Sequence, residues 1–441
     1  MSQSIRKPGK SRGTRGAAAI TALILAAPLA TAPGTAQARP STASRALPTG
    51  AHPTSAVLTW DVHTETAIFD RARQSPTAAA RSFAIVQGAV YDAVNAVAGA
   101  PYEPYLVAPR SRPGDSTPAA VATAAYRTLR WLFPDQAEPL RAQYEQALGA
   151  IPDGRSERGG VAVGEAAAAA MIDARRDDGA FSDAKWRVGT APGEWRPTPP
   201  GFLQVGAWYA TLKPFVIRDA DDYRTPGPPA LRSAAYARDL NEVQSLGSAA
   251  STSRTPDQTD AAIWWDDPRQ VEWSIGRQLA ASRRLGELQT ARLLAMAGVA
   301  AADALVACYK EKWHWSFWRP VTAIPLADTD GNPATRADPS WTPLRTTAPS
   351  TEYPSGHACY TSAVTTGWGK FFGRDDVSFS AYSADSGTTR RYDSLAKARA
   401  ELGEARIWAG VHYRSASDDG TRLGSAVARD VLDREFGRRG D

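Results

Sequence analysis

Cysteine is almost missing from this chain: Cys308 and Cys359 are the only two among 441 residues. A disulfide scaffold is thereby excluded, and the pair reads as two small buried hydrophobes that meet only if the helices around them pack together. Beyond the N-terminal region no stretch reaches ~18 consecutive apolar residues, so no membrane span and no stable membrane attachment are expected. Sustained apolar/polar alternation is absent too, which argues against a sheet-based architecture, and no short period marks a solenoid. Histidine is scarce: His52, His63, His314, His357 and His412 are all there are.

The formal charge of +5 has a local origin. Arg6, Lys7, Lys10, Arg12 and Arg15 precede an apolar run from Ala17 to about Ala32, and a small-x-small site follows at Ala36-Gln37-Ala38. Residues 1–38 therefore read as a signal peptide and the protein as secreted. Cleavage after Ala38 removes five cations and no acid, leaving 403 residues with a formal charge of 0. With no basic motif besides, nucleic acid is excluded as a partner.

Residues 39–55 are rich in Pro, Ser, Thr and Ala without periodicity and read as a disordered leader. Residues 56–441 read as a single all-helical domain. Phe83, Val86, Val90, Val94 and Val97 recur at helical spacing over 79–97, before a stop at Gly99 and Pro101. Further helices are expected at 118–131, 136–148, 157–176, 231–246, 268–284, 287–312, 357–372, 394–410 and 419–436. Between 180 and 230, tryptophans and prolines predict a long irregular segment, with a short helix around 204–213.

Three fragments in the C-terminal half carry the chemistry. Lys312 and Arg319 lie seven residues apart, on one face if the helix continues that far, with Pro320 marking its end. Arginine presents a planar fork to two oxygens of a tetrahedral anion and lysine adds a point charge. Trp313, Trp315, Phe317 and Trp318 surround the pair, so a bound anion would compensate two partly desolvated cations. His314 falls on the other face and reads as a packed or supporting residue. Pro354-Ser355-Gly356-His357 looks like a tight helix entry with free amides, a hydroxyl donor and a histidine able to move protons. Arg406 and His412 are six apart and out of helical phase, so a break is expected between them at Gly410. Together the fragments read as a pocket for a tetrahedral oxyanion, either vanadate as cofactor or phosphate as substrate.

These fragments resemble the joint signature K-x6-RP, PSGH and SR-x5-H of the superfamily uniting vanadium-dependent haloperoxidases with type 2 phosphatidic acid phosphatases and bacterial acid phosphatases. Lys312 to Ile324 and Ala409-Gly-Val-His-Tyr-Arg414 are more similar to the soluble bacterial haloperoxidase branch, as are Ala89 to Ala96, Trp264-Trp265 and Ala300 to Leu305. The resemblance runs from about residue 56 to the C-terminus. It implies an all-α fold of two four-helix bundles, with vanadate as the cofactor. His412 would be the vanadium ligand, and Lys312, Arg319, Arg406, Ser355 and the Gly356 amide would hold vanadate oxygens. His357 would be the acid–base group for hydrogen peroxide, which would oxidise a halide to a hypohalous acid equivalent, with a small organic acceptor as a further partner.

Two positions depart from the pattern. Ala405 stands where the signature has serine, and Ser350 stands where relatives have phenylalanine or histidine. Ser350 is thus a candidate halide or substrate contact, and bromide, easier to oxidise than chloride, is the expected halide. The alternative is a secreted acid phosphatase or diphosphatase in which His412 attacks phosphorus and His357 protonates the leaving oxygen.

Overall fold

The computed structural model describes residues 55–266 and 273–440. The expected signal peptide and nearly all of the expected leader lie outside the described residues. Ser55, assigned to that leader, instead caps the first helix, its Oγ accepting from the Leu58 amide at 3.2 Å. Helices dominate the described residues: α1 (Ala56–Glu65), α2 (Pro76–Val97), α3 (Thr117–Leu132), α4 (Ala137–Gly149), α5 (Arg155–Arg175), α6 (Ala234–Leu246), α7 (Pro256–Trp264), α8 (Ile275–Ser282), α9 (Glu287–Trp315), α10 (Pro320–Ala323), α11 (Gly356–Phe372), α12 (Leu395–Trp408) and α13 (Arg414–Arg434). One antiparallel hairpin, β1 (Phe379–Tyr382) with β2 (Thr389–Tyr392), pairs Phe379 with Tyr392.

Two helical groups share α2 and α9 as their common wall. α2, α3 and α5 pack mutually, with α1 and α4 against α3; α9, α11 and α13 pack mutually, with α12 against α11 and α13. α2 opens on Ser75 and Pro76, a favoured start because proline needs no amide partner in the first turn. It is buried from Thr77 to Ala96 on every side, so it is a core rod rather than an amphipathic surface helix. α9 is similar. Its length and composition suffice to cross a membrane, yet that stretch lies buried in the fold. Close approach of α13 to α11 depends on glycine: a Cβ at Gly424 would stand 2.0 Å from the Cys359 carbonyl oxygen.

The quoted sequence runs in α2 and α9 turn out to be loop anchors. Asp92 accepts the amides of Tyr105, Leu106 and Val107, and Asp303 those of Phe215, Val216 and Ile217. Burial raises both carboxyls to about 6, and three amides apiece oppose that rise.

The irregular segment is laced to the wall of the C-terminal group. Trp195 N donates to Ser316 O (2.8 Å), Val205 N to Pro349 O (2.9 Å), Thr225 N to Glu311 Oε2 (2.8 Å) and Gly227 N to the Tyr353 hydroxyl (3.1 Å). The short helix expected there forms as a 3-10 turn, Ala207–Thr211.

Several boundaries differ from expectation. α1, α7, α10 and the hairpin were not anticipated, and α13 begins at Arg414 rather than 419. Its first turn is fixed by charges: the Arg414 fork pairs with Glu242 and Glu404, and the Ser415 amide donates to Asp239. Of the helix expected at 268–284, residues 268–272 lie outside the described residues and α8 accounts for 275–282.

Candidate active site

The continuous helix expected through Lys312 and Arg319 does not form. α9 ends at Trp315 because Ser316 turns left-handed (φ 47), a conformation costing roughly 1–3 kcal/mol for a residue with a Cβ. Three tethers hold it there: Ser316 N donates to Lys312 O, Ser316 Oγ to Arg187 O, and Ser316 O accepts from Trp195 N. Pro320 accordingly opens α10 instead of closing α9. The two cations still converge, through residues 350–352. Lys312 Nζ donates to Thr351 O (2.7 Å) and Glu352 O (2.8 Å). Arg319 Nε donates to Ser350 O (2.9 Å) and its Nη2 to Ser350 Oγ (3.1 Å).

That segment runs into α11. Ser355 is its N-cap, Oγ accepting from Ala358 N at 3.4 Å, and the hydroxyl proton remains free to donate. Gly356 and His357 follow, and among the described residues neither amide has an acceptor. A Cβ at Gly356 would sit 3.7 Å from Lys312 Cε and 3.8 Å from Tyr309 Cε2, in ordinary contact with both, so the backbone there lies directly against the lysine side chain.

The expected break between Arg406 and His412 is present: α12 stops at Trp408, and Gly410 takes φ +78 where a Cβ would stand 2.3 Å from the Gly247 carbonyl oxygen. Arg406 Nη1 donates to Asp266 Oδ1 at 3.0 Å, and its buried Nε has no partner. Ala405 is packed in the core, so support for Arg406 comes from Asp266 rather than from the missing serine. His412 lies between Arg319 Nη1, 3.0 Å from Nε2 and 3.5 Å from Nδ1, and Glu352 Oε1, 2.9 Å from Nδ1. His314 is exposed, with its ring edge-on to Trp315, and is neither packed nor a support of the site. Cys308 and Cys359 are buried free thiols; burial and the neighbouring Cys308 push Cys359 up.

The electrostatics point one way. Burial, then Arg319, pushes Lys312 down to about 8, and burial pushes Arg319 down to about 10 against the pull of Glu352. His357, partly exposed, is driven to about 3 by burial and by Arg406, with Asp266 opposing and Arg319 and Lys312 adding. Burial and the same three cations hold His412 well below its ordinary value. Burial lifts Glu352 to about 7 although Arg319 and Lys312 oppose it. Burial would raise Asp266 as well, but Arg406, His357 and Arg345 outweigh it and keep it low.

Positive charge thus outweighs negative in a desolvated space, and a bound oxyanion would relieve it. The donor set also fits an oxyanion chemically. Three cations, two open amides, a hydroxyl and one imidazole suit vanadate, whereas no group of three or more His, Cys, Asp or Glu among the described residues could hold a bare metal ion. Glu352 and Asp266 escaped the sequence reading. Each sits beside a quoted motif, Glu352 two residues before Pro354 and Asp266 directly after Trp265, but neither belongs to the signature.

The likeness to known proteins lies in the C-terminal helices and in the fold. The VCPO second helical-bundle domain matches residues 292–437. Vanadium chloroperoxidase of Curvularia inaequalis is 31% identical over a stretch covering 31% of this chain and 28% of that protein, so the match spans under a third of that relative's length. A crystal structure described as the first bacterial vanadium-dependent iodoperoxidase superposes with a TM-score of 0.74 at 24% identity, covering 87% of this chain and 98% of that one. The apo-type bacterial vanadium-dependent chloroperoxidase gives 0.64 at 18% identity, covering 81% and 93%. Residues 292–437 match the VCPO second helical-bundle domain, and the chain as a whole shares the fold of the bacterial vanadium-dependent peroxidases of known structure.

Proposed function

We propose that this protein is a vanadate-dependent haloperoxidase, oxidising halide with hydrogen peroxide to a hypohalous acid equivalent. The observation that carries the reading is the excess of buried positive charge around the open amides of α11, with one imidazole, His412, facing it. Lys312, Arg319, Arg406, the Ser355 hydroxyl and the Gly356 amide would hold vanadate oxygens, with His412 as the metal ligand. When bound, vanadate supplies Lewis-acid activation of peroxide without changing oxidation state. The residues do the rest. The three cations orient the anion and balance its charge, and their burial, with that of His412, keeps water from competing for them. His357 rests neutral at physiological pH and can accept the first peroxide proton on its imidazole; the anion's charge offsets the neighbouring cations and raises the ring's basicity when the site is filled.

Ser350 shapes the halide side of this reading. Its hydroxyl accepts from Arg319 and leaves more volume there than phenylalanine or histidine would. Bromide is therefore expected to outperform chloride, and the fold neighbour described as an iodoperoxidase makes iodide the third halide to assay. The same cradle would suit a phosphoryl group, which makes a phosphatase acting through a phosphohistidine the competing outcome.

One experiment separates the two. The protein is prepared free of phosphate, loaded with orthovanadate and assayed in parallel for peroxide-dependent halogenation and for hydrolysis of a simple phosphate ester. Vanadate-dependent halogenation is expected; ester hydrolysis without it would overturn the proposal.

A further inference from the structure

We infer that Glu352 is a positioning residue that fixes His412 as the tautomer protonated on Nδ1, keeping the Nε2 lone pair directed at the oxyanion site. The inference rests on the vanadate reading above and adds to it the group that makes the imidazole a ligand rather than a hydrogen-bond donor.

Donor and acceptor types decide the tautomer. Arg319 Nη1 lies 3.0 Å from His412 Nε2 and 3.5 Å from Nδ1, so it rests against the face of the ring and does not select a tautomer. Glu352 Oε1 lies 2.9 Å from Nδ1 and already accepts the Tyr413 amide; with the carboxyl ionised, or holding its proton on the unpartnered Oε2, Oε1 accepts, so Nδ1 carries the proton. The Glu352 contact alone therefore sets the tautomer. Arg319, lying against the ring, leaves the Nε2 lone pair to the oxyanion site, and Glu352 holds the proton on Nδ1.

Glu352 is built for constancy. It is 0% exposed, and Oε1 also accepts the Tyr413 amide at 3.1 Å, which ties the carboxylate to the residue next to the histidine it orients. Its carbonyl holds Lys312 Nζ at 2.8 Å, so backbone and side chain of one residue set a cation and the imidazole together. Without this acceptor, Nε2–H could donate to an anion oxygen, and the ring would bind oxyanions in general but form no bond to vanadium.

Reach and charge are separable by two variants. Glu352→Gln keeps a carbonyl acceptor at the same distance and removes the charge. Glu352→Asp keeps the charge and withdraws the acceptor by one methylene. Dissociation constants for orthovanadate and for sulfate, a tetrahedral anion that forms no bond to imidazole, are measured calorimetrically on phosphate-free protein. Glu352→Asp is expected to weaken vanadate about 10- to 100-fold while sulfate changes little, the range typical of lost support to a metal-bound histidine. Glu352→Gln is expected to hold vanadate within a few-fold of wild type. Retained sulfate binding also reports that each variant's pocket is folded. The reverse order of the two variants, or parallel loss of both anions, would overturn the inference. So would histidine ¹⁵N spectra of the anion-free wild type showing His412 protonated on Nε2. Wild type that binds sulfate but no vanadate would sink the proposed function instead.

Discussion

Arg319→Lys tests whether a fork, and not merely a charge, holds the site. Arg319 makes three directed hydrogen bonds, Nε to Ser350 O, Nη2 to Ser350 Oγ and Nη1 to Val411 O, and Nη1 also lies against both ring nitrogens of His412. It is 1% exposed, so no water replaces a lost partner. A single lysine ammonium cannot serve the two ends of that fork, and at least one buried carbonyl, Ser350 O or Val411 O, is left bare. An orphaned buried acceptor costs about 1–3 kcal/mol, which should appear as a lower urea midpoint for the anion-free variant. Vanadate loses one charge-assisted hydrogen bond, worth about 1.5–3 kcal/mol, or roughly 10- to 150-fold in affinity. The assay is a pair of titrations, urea without anion and orthovanadate at fixed pH. An Arg319→Lys protein as stable as wild type that binds vanadate equally well would refute the reasoning, because charge alone would then suffice.

His357→Ala should cut turnover by about 10²- to 10⁴-fold while vanadate affinity changes little, because proton transfer is lost but the anion keeps its cations; equal losses would make His357 a binding residue. Ser350→Phe and Ser350→His should shift the bromide-to-chloride rate ratio more than they shift vanadate affinity, and an unchanged ratio would remove Ser350 from the halide path. Acid should destabilise the anion-free protein. His357 binds a proton near pH 6.5 when unfolded and near 3 when folded, so its contribution is full above 6.5 and drains as pH falls toward 3. His412 adds the same sign, while Glu352, raised to about 7 from 4.5, opposes them between those values. A urea midpoint that stays level or rises from pH 6.5 to 4.5 would contradict this balance. We also propose export with removal of residues 1–38, and a secreted product whose intact mass retains them would refute it.

Long helices were legible because their signals are redundant. In α2 the 3.6-residue period and the Gly99 stop agree, although the helix begins at Pro76, three residues ahead of the expected start. α7 was missed although Thr255 and Gln258 form a full capping box, because nine residues carry too few apolar repeats to stand out. The hairpin has four residues per strand, too short for alternation to register. In the site, the cations and histidines were readable as motif members. The path of the chain through Ser316 was not: nothing local marks a serine for a left-handed turn, which is imposed by tethers to Arg187 and Trp195 more than a hundred residues away in sequence. Glu352 and Asp266 stayed hidden for a related reason. A carboxylate becomes part of a site by facing it, and facing is decided by packing.

The lacing of the irregular segment has an architectural corollary. Its tie points fall next to working residues: Trp195 at Ser316, Val205 at Pro349, Thr225 at Glu311 and Gly227 at Tyr353. Between the first two ties runs a span from 196 to 204 that carries the outward-facing Phe202 and Leu203. Doubling the length of a flexible loop adds only about 0.6 kcal/mol of closure entropy, so this span can be lengthened, shortened or exchanged at small cost, whereas an insertion between 205 and 227 would pull on the anchors themselves. The scaffold thus divides into a fixed clamp and one replaceable panel, and variation in what such a protein admits has a natural place to accumulate without rewriting the grip on the anion.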